Sequence, residues 1–270
     1  MTRASLAGLV ILAGLGLTAG AQAQEKILRV CFGEYDAPRA EKTSGTGFDL
    51  DIMRAVAERM GRTLEPVWVE QEDKMTEADK SDLPLPALAK GRCDAVASVP
   101  GKDALRGARV ELSLSQPYYG AGFEFVSAPG GPKDYSELKD KTIVVQFMTV
   151  GHLAAAAAGY HWIGVTSPEE QMADLASGKA DAALVWGPAL GPLNATPQPN
   201  TLPSQVLRWN EHVATRASDV ELTGAIDAAL QAMLASGEIG KLMQAHHMPP
   251  HAPFEGVFNQ GALIKLQLHR

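Results

Sequence analysis

Arg106 is the residue whose type and position point most directly to binding chemistry. It follows a predicted strand at residues 95–99, and ligands of open α/β sheets bind at the carboxyl ends of the strands. A guanidinium at that place holds a carboxylate through two parallel hydrogen bonds. The alternative is an exposed arginine that pairs with Asp103 or Glu111, and the residues alone leave both open.

Thr149 marks a second predicted anion-binding position. Thr149 and Gly151 stand where a predicted strand at residues 142–146 passes into an alanine-rich helix at residues 151–158. Free backbone N–H groups at the start of a helix favour an anion. Capping of the helix by the threonine hydroxyl is the alternative.

Catalytic motifs are absent from the sequence. It contains no Gly-x-Ser-x-Gly, no Gly-x4-Gly-Lys-Ser/Thr and no His-Glu-x-x-His. The histidines at residues 246–251 are a poor metal site because adjacent side chains on a helix diverge and two prolines interrupt the segment. We therefore expect that the protein binds no cofactor and no metal and that it is not an enzyme. An enzyme with groups from distant segments remains an alternative, with Asp103, Glu34 and Asp36 as its acid–base candidates.

The composition is that of an ordinary globular protein of one large or two modest domains. The 270 residues include 46% hydrophobic and 20% charged residues, with a net charge of −7. The acidic balance and the lack of a basic cluster argue against a nucleic-acid partner. An acidic stretch at residues 70–82 is interpreted as a solvated loop, with an acidic docking surface or hard-cation site as the alternative.

Residues 1–23 are predicted to be a cleaved secretory signal. Arg3 precedes an apolar stretch, and the small-x-small pattern at residues 21–23 indicates cleavage after Ala23. Cleavage leaves 23 basic and 31 acidic residues, a net charge of −8. Because no other apolar run is long enough to span a membrane, we expect a periplasmic protein without a membrane anchor.

The rest of the chain predicts an α/β fold of two lobes with largely parallel sheets. Strand-like and helix-like segments alternate in two similar halves, beginning with a strand at residues 27–31 and a helix at residues 48–60. Both halves contain the pattern Gly-basic-small-Asp-Ala-aliphatic, at residues 91–96 and 178–183. The predicted units are residues 24–122 with 214–270 as lobe 1 and residues 127–208 as lobe 2. Crossings at residues 123–126 and 209–213 form a two-strand hinge.

These segments resemble the bilobal extracellular solute-binding proteins of the polar amino-acid type, family 3. The resemblance extends over residues 27–247 and rests on the order of four motifs, at residues 47–61, 91–96, 115–119 and 144–149. It implies the type II periplasmic-binding-protein fold, in which each lobe is a mixed sheet flanked by helices and a solute binds between the lobes.

The resemblance assigns a carboxylate-binding role to Arg106, with one departure nearby. In the family an arginine twelve residues after the Asp of Gly-x-x-Asp-Ala grips the ligand's α-carboxylate, and Arg106 is twelve after Asp94. Three residues before it the family usually has Thr or Ser. Asp103 stands there instead, and its charge repels a carboxylate unless it is paired.

The second lobe departs further from the family pattern. The family commonly places an Asp five residues after the strand-opening Asp to hold the ligand's ammonium group, but five residues after Asp181 stands Trp186. An indole cannot form that ion pair. The family's glycine before Thr149 is replaced by Met148. The remaining candidate ligand contacts are Tyr118, Tyr119 and Trp186 as aromatic walls, for which core packing is the alternative.

The departures resemble a subgroup, the solute-binding-like proteins encoded with quinoprotein (PQQ) methanol and alcohol dehydrogenases. The resemblance rests on residues 28–31, 93–100, 116–119 with 123–126, and 185–188. It implies a periplasmic accessory protein that contacts the dehydrogenase or assists its maturation.

Cys31 and Cys93 are the two cysteines, and an oxidising compartment favours a disulfide between them. Topology argues against it. An offset of about four residues between neighbouring parallel strands, at ~3.3 Å each, exceeds the ~7 Å that a bridge tolerates between Cα atoms. The sequence leaves open whether Cys31 and Cys93 are bonded or free.

Two functions are therefore predicted. In the first, the protein is a non-catalytic receptor for a small polar or anionic solute, with an ABC permease as a further partner. In the second, it works through protein contacts with a quinoprotein dehydrogenase and its cytochrome.

Overall fold

A computed structural model describes residues 26–69, 84–105, 111–198 and 207–255, and within them the fold is α/β. The helices are α1 (Phe48–Arg59), α2 (Pro84–Ala89), α3 (Val150–Ala158), α4 (Pro168–Ala176), α5 (Val220–Ala235) and α6 (Glu238–Ala245). The strands are β1 (Ile27–Gly33), β2 (Tyr35–Asp36), β3 (Ala40–Glu41), β4 (Thr63–Val69), β5 (Ala95–Val99), β6 (Leu112–Leu114), β7 (Tyr119–Ser127), β8 (Thr142–Gln146), β9 (His161–Val165), β10 (Ala182–Trp186) and β11 (Arg208–Arg216).

The main sheet has two halves of the same design. In the first half β1 lies between β4 and β5, parallel to both, and in the second half β8 lies between β9 and β10, again parallel to both. Helices connect the parallel strands, as parallel pairing requires. The predicted alternation of strands and helices is confirmed.

Two long antiparallel strands join the halves. The first residues of β7, 119–122, pair with residues 208–211 of β11, and the later residues of β7 pair with β10. β11 continues past this crossing to pair with β5 and β6. The pairing partners change at residues 122–123 and 211–212, close to the predicted hinge. The boundaries of the two lobes stay a prediction.

The repeated Gly-x-x-Asp-Ala pattern has a physical reason in the sheet. Asp94 and Asp181 each stand before a strand and accept a hydrogen bond from the neighbouring strand's backbone, at 3.1 Å from Arg29 N and 2.8 Å from Thr142 N. Each also donates its own N–H to the carbonyl of that same residue, at 2.8 Å. The glycine three residues earlier has a positive φ of 75° or 74°, which glycine adopts without steric cost. The pattern therefore locks the register of β5 on β1 and of β10 on β8.

Cys31 and Cys93 form a disulfide, with their Cα atoms 5.7 Å apart. The expected separation of more than 7 Å is wrong. Cys31 pairs with Val96, and Cys93 precedes the first residue of β5, where the chain is not yet extended along the strand. The loop before β5 therefore brings Cys93 back toward β1, and both cysteines are buried.

No helix within the described ranges has the length and apolar character that a membrane span needs.

We expect the disulfide to make a large contribution to stability. It closes a loop with a sequence separation of 62, for which the chain-entropy model gives about 4 kcal/mol. The double variant Cys31→Ala/Cys93→Ala should lose a free energy of unfolding of this order in urea titrations. The reduced wild-type protein is the control and should lose a similar amount. Two free thiols in the native protein, measured by mass after alkylation, would contradict the disulfide.

Candidate functional site

The predicted carboxylate clamp lies largely outside the described residues. Arg106 and the acidic stretch at 70–82 are outside them, and Asp103 lies in the 3₁₀ turn Lys102–Leu105 that follows β5. This turn is at the carboxyl end of the strand, as predicted for the segment. The roles of Arg106 and Asp103 in binding a solute stay predictions.

Thr149 caps α3 with its hydroxyl. Its Oγ1 accepts a hydrogen bond from His152 N at 3.2 Å and donates one to the Gln146 carbonyl at 2.7 Å. Helix capping, the alternative named from the sequence, accounts for this hydroxyl. Contact of a solute with the start of α3 stays a prediction.

Tyr118 is part of the core of the protein. It is fully buried, and its hydroxyl donates a hydrogen bond to Asp49 Oδ1 at 2.5 Å. The Tyr118 hydroxyl oxygen in turn accepts a hydrogen bond from Ser98 N at 3.1 Å. Tyr119 is also buried and packs edge-on against Phe48, with ring centroids 5.3 Å apart. Both tyrosines therefore occupy the position of core residues, the alternative to solvent-lined aromatic walls.

Asp49 is a buried carboxyl group on the first turn of α1. Ser98 Oγ donates a second hydrogen bond to it. Ser98 has a left-handed φ of 56° and lies where the register of β5 on β11 shifts, a bulge that re-aims the side chain. Burial raises the pKa of Asp49, while Arg39 and the two hydroxyls oppose the rise.

Arg39 joins the two halves of the molecule. Its Nη2 donates to Asp36 Oδ1 at 2.7 Å, and its guanidinium carbon lies 5.0 Å from the ring centroid of Trp186, within the range of a cation–π contact. Trp186 is the last residue of β10. Burial disfavours the charged guanidinium, but Asp36, Glu211 and Asp49 outweigh it and raise the pKa of Arg39. Arg39 therefore carries a full positive charge against the face of Trp186.

Glu211 is a buried glutamate at the crossing of β7 and β11. It pairs directly with Tyr119 in the strand register, and its Oε1 accepts a hydrogen bond from Trp209 Nε1 at 2.8 Å. Burial raises its pKa to about 7, although Arg39 and the Trp209 hydrogen bond oppose the rise. The described site thus places one guanidinium among the carboxyl groups of Asp36, Asp49 and Glu211.

The opposite face of the crossing is covered by the segment after α6. Gly120 N donates to the His251 carbonyl at 3.1 Å, and His251 Nε2 lies 2.6 Å from Glu124 Oε1. Asn210 exchanges two hydrogen bonds with the backbone of Phe254, at 2.8 and 2.9 Å. Gly120 is required here because a Cβ would lie 2.6 Å from the Ala252 carbonyl oxygen.

Sequence reasoning missed Arg39, Asp49 and Glu211 and named Asp36 only as an acid–base candidate. The alternation of side chains along β11 indicated that Glu211 is buried, since it lies on the same face of the strand as the buried Trp209 and Val213. Asp49 likewise stands within the apolar run of α1. Arg39 lies outside the long helices and strands, and no periodicity points to it.

The fold and this arrangement define a two-lobed solute-binding protein. The chain belongs to the bacterial extracellular solute-binding proteins, family 3, whose model matches residues 28–248.

Two differently named proteins are similar in sequence to this chain. Protein MoxJ of Methylorubrum extorquens is 25% identical over 241 residues, covering 76% of this chain and 75% of the relative. The L-arginine-binding protein of Pseudomonas aeruginosa is 27% identical over 217 residues, covering 74% and 78%. The fold also matches the L-cystine solute receptor of Neisseria gonorrhoeae in its open conformation, with a TM-score of 0.67, 21% identity and 82% and 92% coverage.

We expect Glu211 to make stability depend on pH near neutrality. Its pKa is about 7 in the folded protein and 4.5 ordinarily, so between these values the folded state binds more protons than the unfolded state. The free energy of unfolding therefore falls as the pH rises from 4.5 to about 7.

Glu211→Gln should remove this part of the slope and raise stability above pH 7, by about 3 kcal/mol from ~1.4 kcal/mol per pH unit. Urea unfolding at several pH values measures it, and Glu65→Gln, on the exposed face of β4, is the matched control. An unchanged slope in Glu211→Gln would contradict the assignment.

Proposed function

We propose that this family 3 protein is a non-catalytic periplasmic accessory of a PQQ-dependent methanol or alcohol dehydrogenase system and works through protein contacts. Family membership supports secretion and a binding role. The relative named MoxJ supports the accessory role, as does the resemblance of residues 28–31, 93–100, 116–119 with 123–126, and 185–188.

The contact of Arg39 with Trp186 is the observation that carries this proposal. Trp186 stands where the family resemblance expects the acidic residue that holds a ligand's ammonium group. Here a guanidinium lies 5.0 Å from that ring. Asp36 holds Arg39 in place over this ring, so the position supplies no carboxylate to an ammonium group and its face is already occupied. The site is therefore unsuited to an α-amino acid.

An apolar patch on the second half of the sheet supports a protein partner. We define the patch as Phe147, Met148 and Trp162, which are 51%, 79% and 38% exposed. His152 stacks on Phe147 with centroids 4.7 Å apart and meets Trp162 at 4.5 Å. Gly164 leaves room for the Phe147 ring, since a Cβ there would lie 2.9 Å from it. Exposed apolar side chains gathered in this way are typical of protein interaction sites.

A second candidate function is reception of a small polar or anionic solute, with an ABC permease as the partner. The spacing of Arg106 from Asp94 and the relative named L-arginine-binding protein favour it. A cationic amino acid meets Arg39 unfavourably, so a solute without a free ammonium group fits this alternative better.

Interaction with the dehydrogenase can be tested on the apolar patch. We expect the purified protein to bind the quinoprotein dehydrogenase of its own organism, measured by biolayer interferometry. Phe147→Ser/Met148→Ser should weaken binding about tenfold or more, because interface energy concentrates in a few apolar anchors. Val220→Ser is the matched control, since Val220 is 71% exposed and lies on α5, outside the patch; it should bind normally.

Calorimetry against amino acids and small organic acids tests the alternative. We expect no binding by the wild-type protein. Saturable binding that Arg106→Ala abolishes, together with no dehydrogenase binding, would overturn the accessory role and establish a solute receptor.

A further inference from the structure

The segment that follows α6 runs from the first half of the sheet to the second. We call residues 246–254 the strap. At its start, His246 Nε2 lies 2.9 Å from Asp51 Oδ2, and the imidazole packs edge-on against Phe48 with ring centroids 6.1 Å apart. Both partners belong to α1, the helix that connects β1 and β4. The strap is therefore fixed at one end to the first half.

The strap then passes the turn after β10 in the second half. Gly191 ends that turn with an ordinary helical φ of −58°, so its backbone conformation does not require glycine. A Cβ on Gly191 would lie 2.5 Å from the His246 carbonyl oxygen and 3.0 Å from that of His247. The close approach of the strap backbone therefore accounts for the glycine at this position.

His251 holds the strap on both sides of the point where β7 passes from one half to the other. The pairing partner of β7 changes from β11 to β10 at residues 122–123. Before this change, the His251 carbonyl accepts a hydrogen bond from Gly120 N at 3.1 Å. After it, His251 Nε2 lies 2.6 Å from Oε1 of Glu124, a side chain only 3% exposed. A change in the angle between the halves at this point alters at least one of these two contacts.

The end of the strap binds the other crossing strand, β11. Phe254 exchanges two hydrogen bonds with the Asn210 side chain, and its ring centroid lies 5.2 Å from the Arg208 guanidinium carbon. Beside the contact with Gly191, a groove of about 460 Å³ separates residues 190–197 from residues 244–250. Close packing does not fill this space, so the individual contacts of the strap fix the separation of the two halves here.

We propose that the strap is a brace that holds the two halves of the sheet at one fixed angle. A hinge between two lobes closes because a few residues absorb the change in φ and ψ. Here the strap binds α1, the turn after β10 and both crossing strands, so closure requires several of these contacts to break together. The brace therefore keeps the protein in one conformation, whichever partner the protein binds.

Pulsed electron spin resonance between the two halves tests the brace. Spin labels on Glu58→Cys and Glu169→Cys report the distance between α1 and α4, and both positions are exposed. Cys31 and Cys93 are bonded to each other and take no label. We expect one narrow distance distribution for the protein with an unchanged strap. A broad or two-peaked distribution would overturn the proposal, because the halves would then move in spite of the strap.

Glycine variants supply a matched pair for the same measurement. Gly120→Ala/Gly191→Ala places two methyl groups against the strap backbone, at 2.6 Å from the Ala252 carbonyl oxygen and 2.5 Å from that of His246. The single narrow distance should be lost, because the strap must move away. Gly224→Ala/Gly240→Ala adds two methyl groups on α5 and α6, where nothing lies within 4 Å, and should retain the narrow distance.

His251→Ala keeps the test decisive if Gly120→Ala prevents folding. The His251 side chain is 29% exposed, and its removal deletes the contact with Glu124 but leaves the backbone bond to Gly120. We expect this variant to retain a cooperative urea transition and to broaden the distance distribution. A distribution as narrow as that of the wild-type protein in His251→Ala, or in a folded Gly120→Ala/Gly191→Ala, would refute the brace.

Discussion

The central constraint in this protein is the set of charges around one half-buried guanidinium, that of Arg39. Asp36, Asp49 and Glu211, three carboxyl groups from three different elements, act on Arg39 and raise its pKa against the effect of burial. Removing a charge from water costs several kcal/mol unless a partner compensates. Arg39 in turn opposes the rise that burial causes in the pKa of Asp49 and of Glu211. This couples the segment after β1, the start of α1 and the strand crossing.

The contact between Arg39 and Trp186 makes the end of β10 different from the family pattern. The Arg39 guanidinium lies over the ring of Trp186 at the end of β10. The family resemblance expects an acidic side chain at this position, but the position holds an indole covered by a guanidinium. Asp36 orients the guanidinium through a hydrogen bond of 2.7 Å. A guanidinium that is paired within the protein thus lies where the family resemblance expects a contact with the ligand.

The crossing strands are restrained on both faces. One face contacts the Arg39 cluster, and the other is covered by the segment after α6 through His251, Phe254 and their bonds to Glu124 and Asn210. Motion of one half relative to the other must alter contacts on at least one face. The exposed patch at Phe147 and Met148 lies outside this restrained region, as suits a surface that meets another protein.

The sequence by itself determined the architecture, because hydrophobic periodicity, helix-capping residues and turn residues depend on neighbours in the chain. The helix at Phe48, the strand at Thr142 and the two Gly-x-x-Asp-Ala turns were all predicted from neighbouring residues, and the motifs in order identified the family. Capping of α3 by Thr149 was also one of the two roles that the neighbouring residues predicted for it.

Only the tertiary structure decided the site. Arg39 meets Trp186, which lies 147 positions away in the chain, and no local pattern encodes that contact. The positions of Tyr118, Tyr119 and Glu211 depend on which face of the crossing they occupy, and burial there turns an ordinary glutamate into a group with a pKa of about 7. The expected separation of Cys31 and Cys93 was wrong for the same reason. Their Cα separation depends on the path of the loop before β5, which strand spacing alone does not specify.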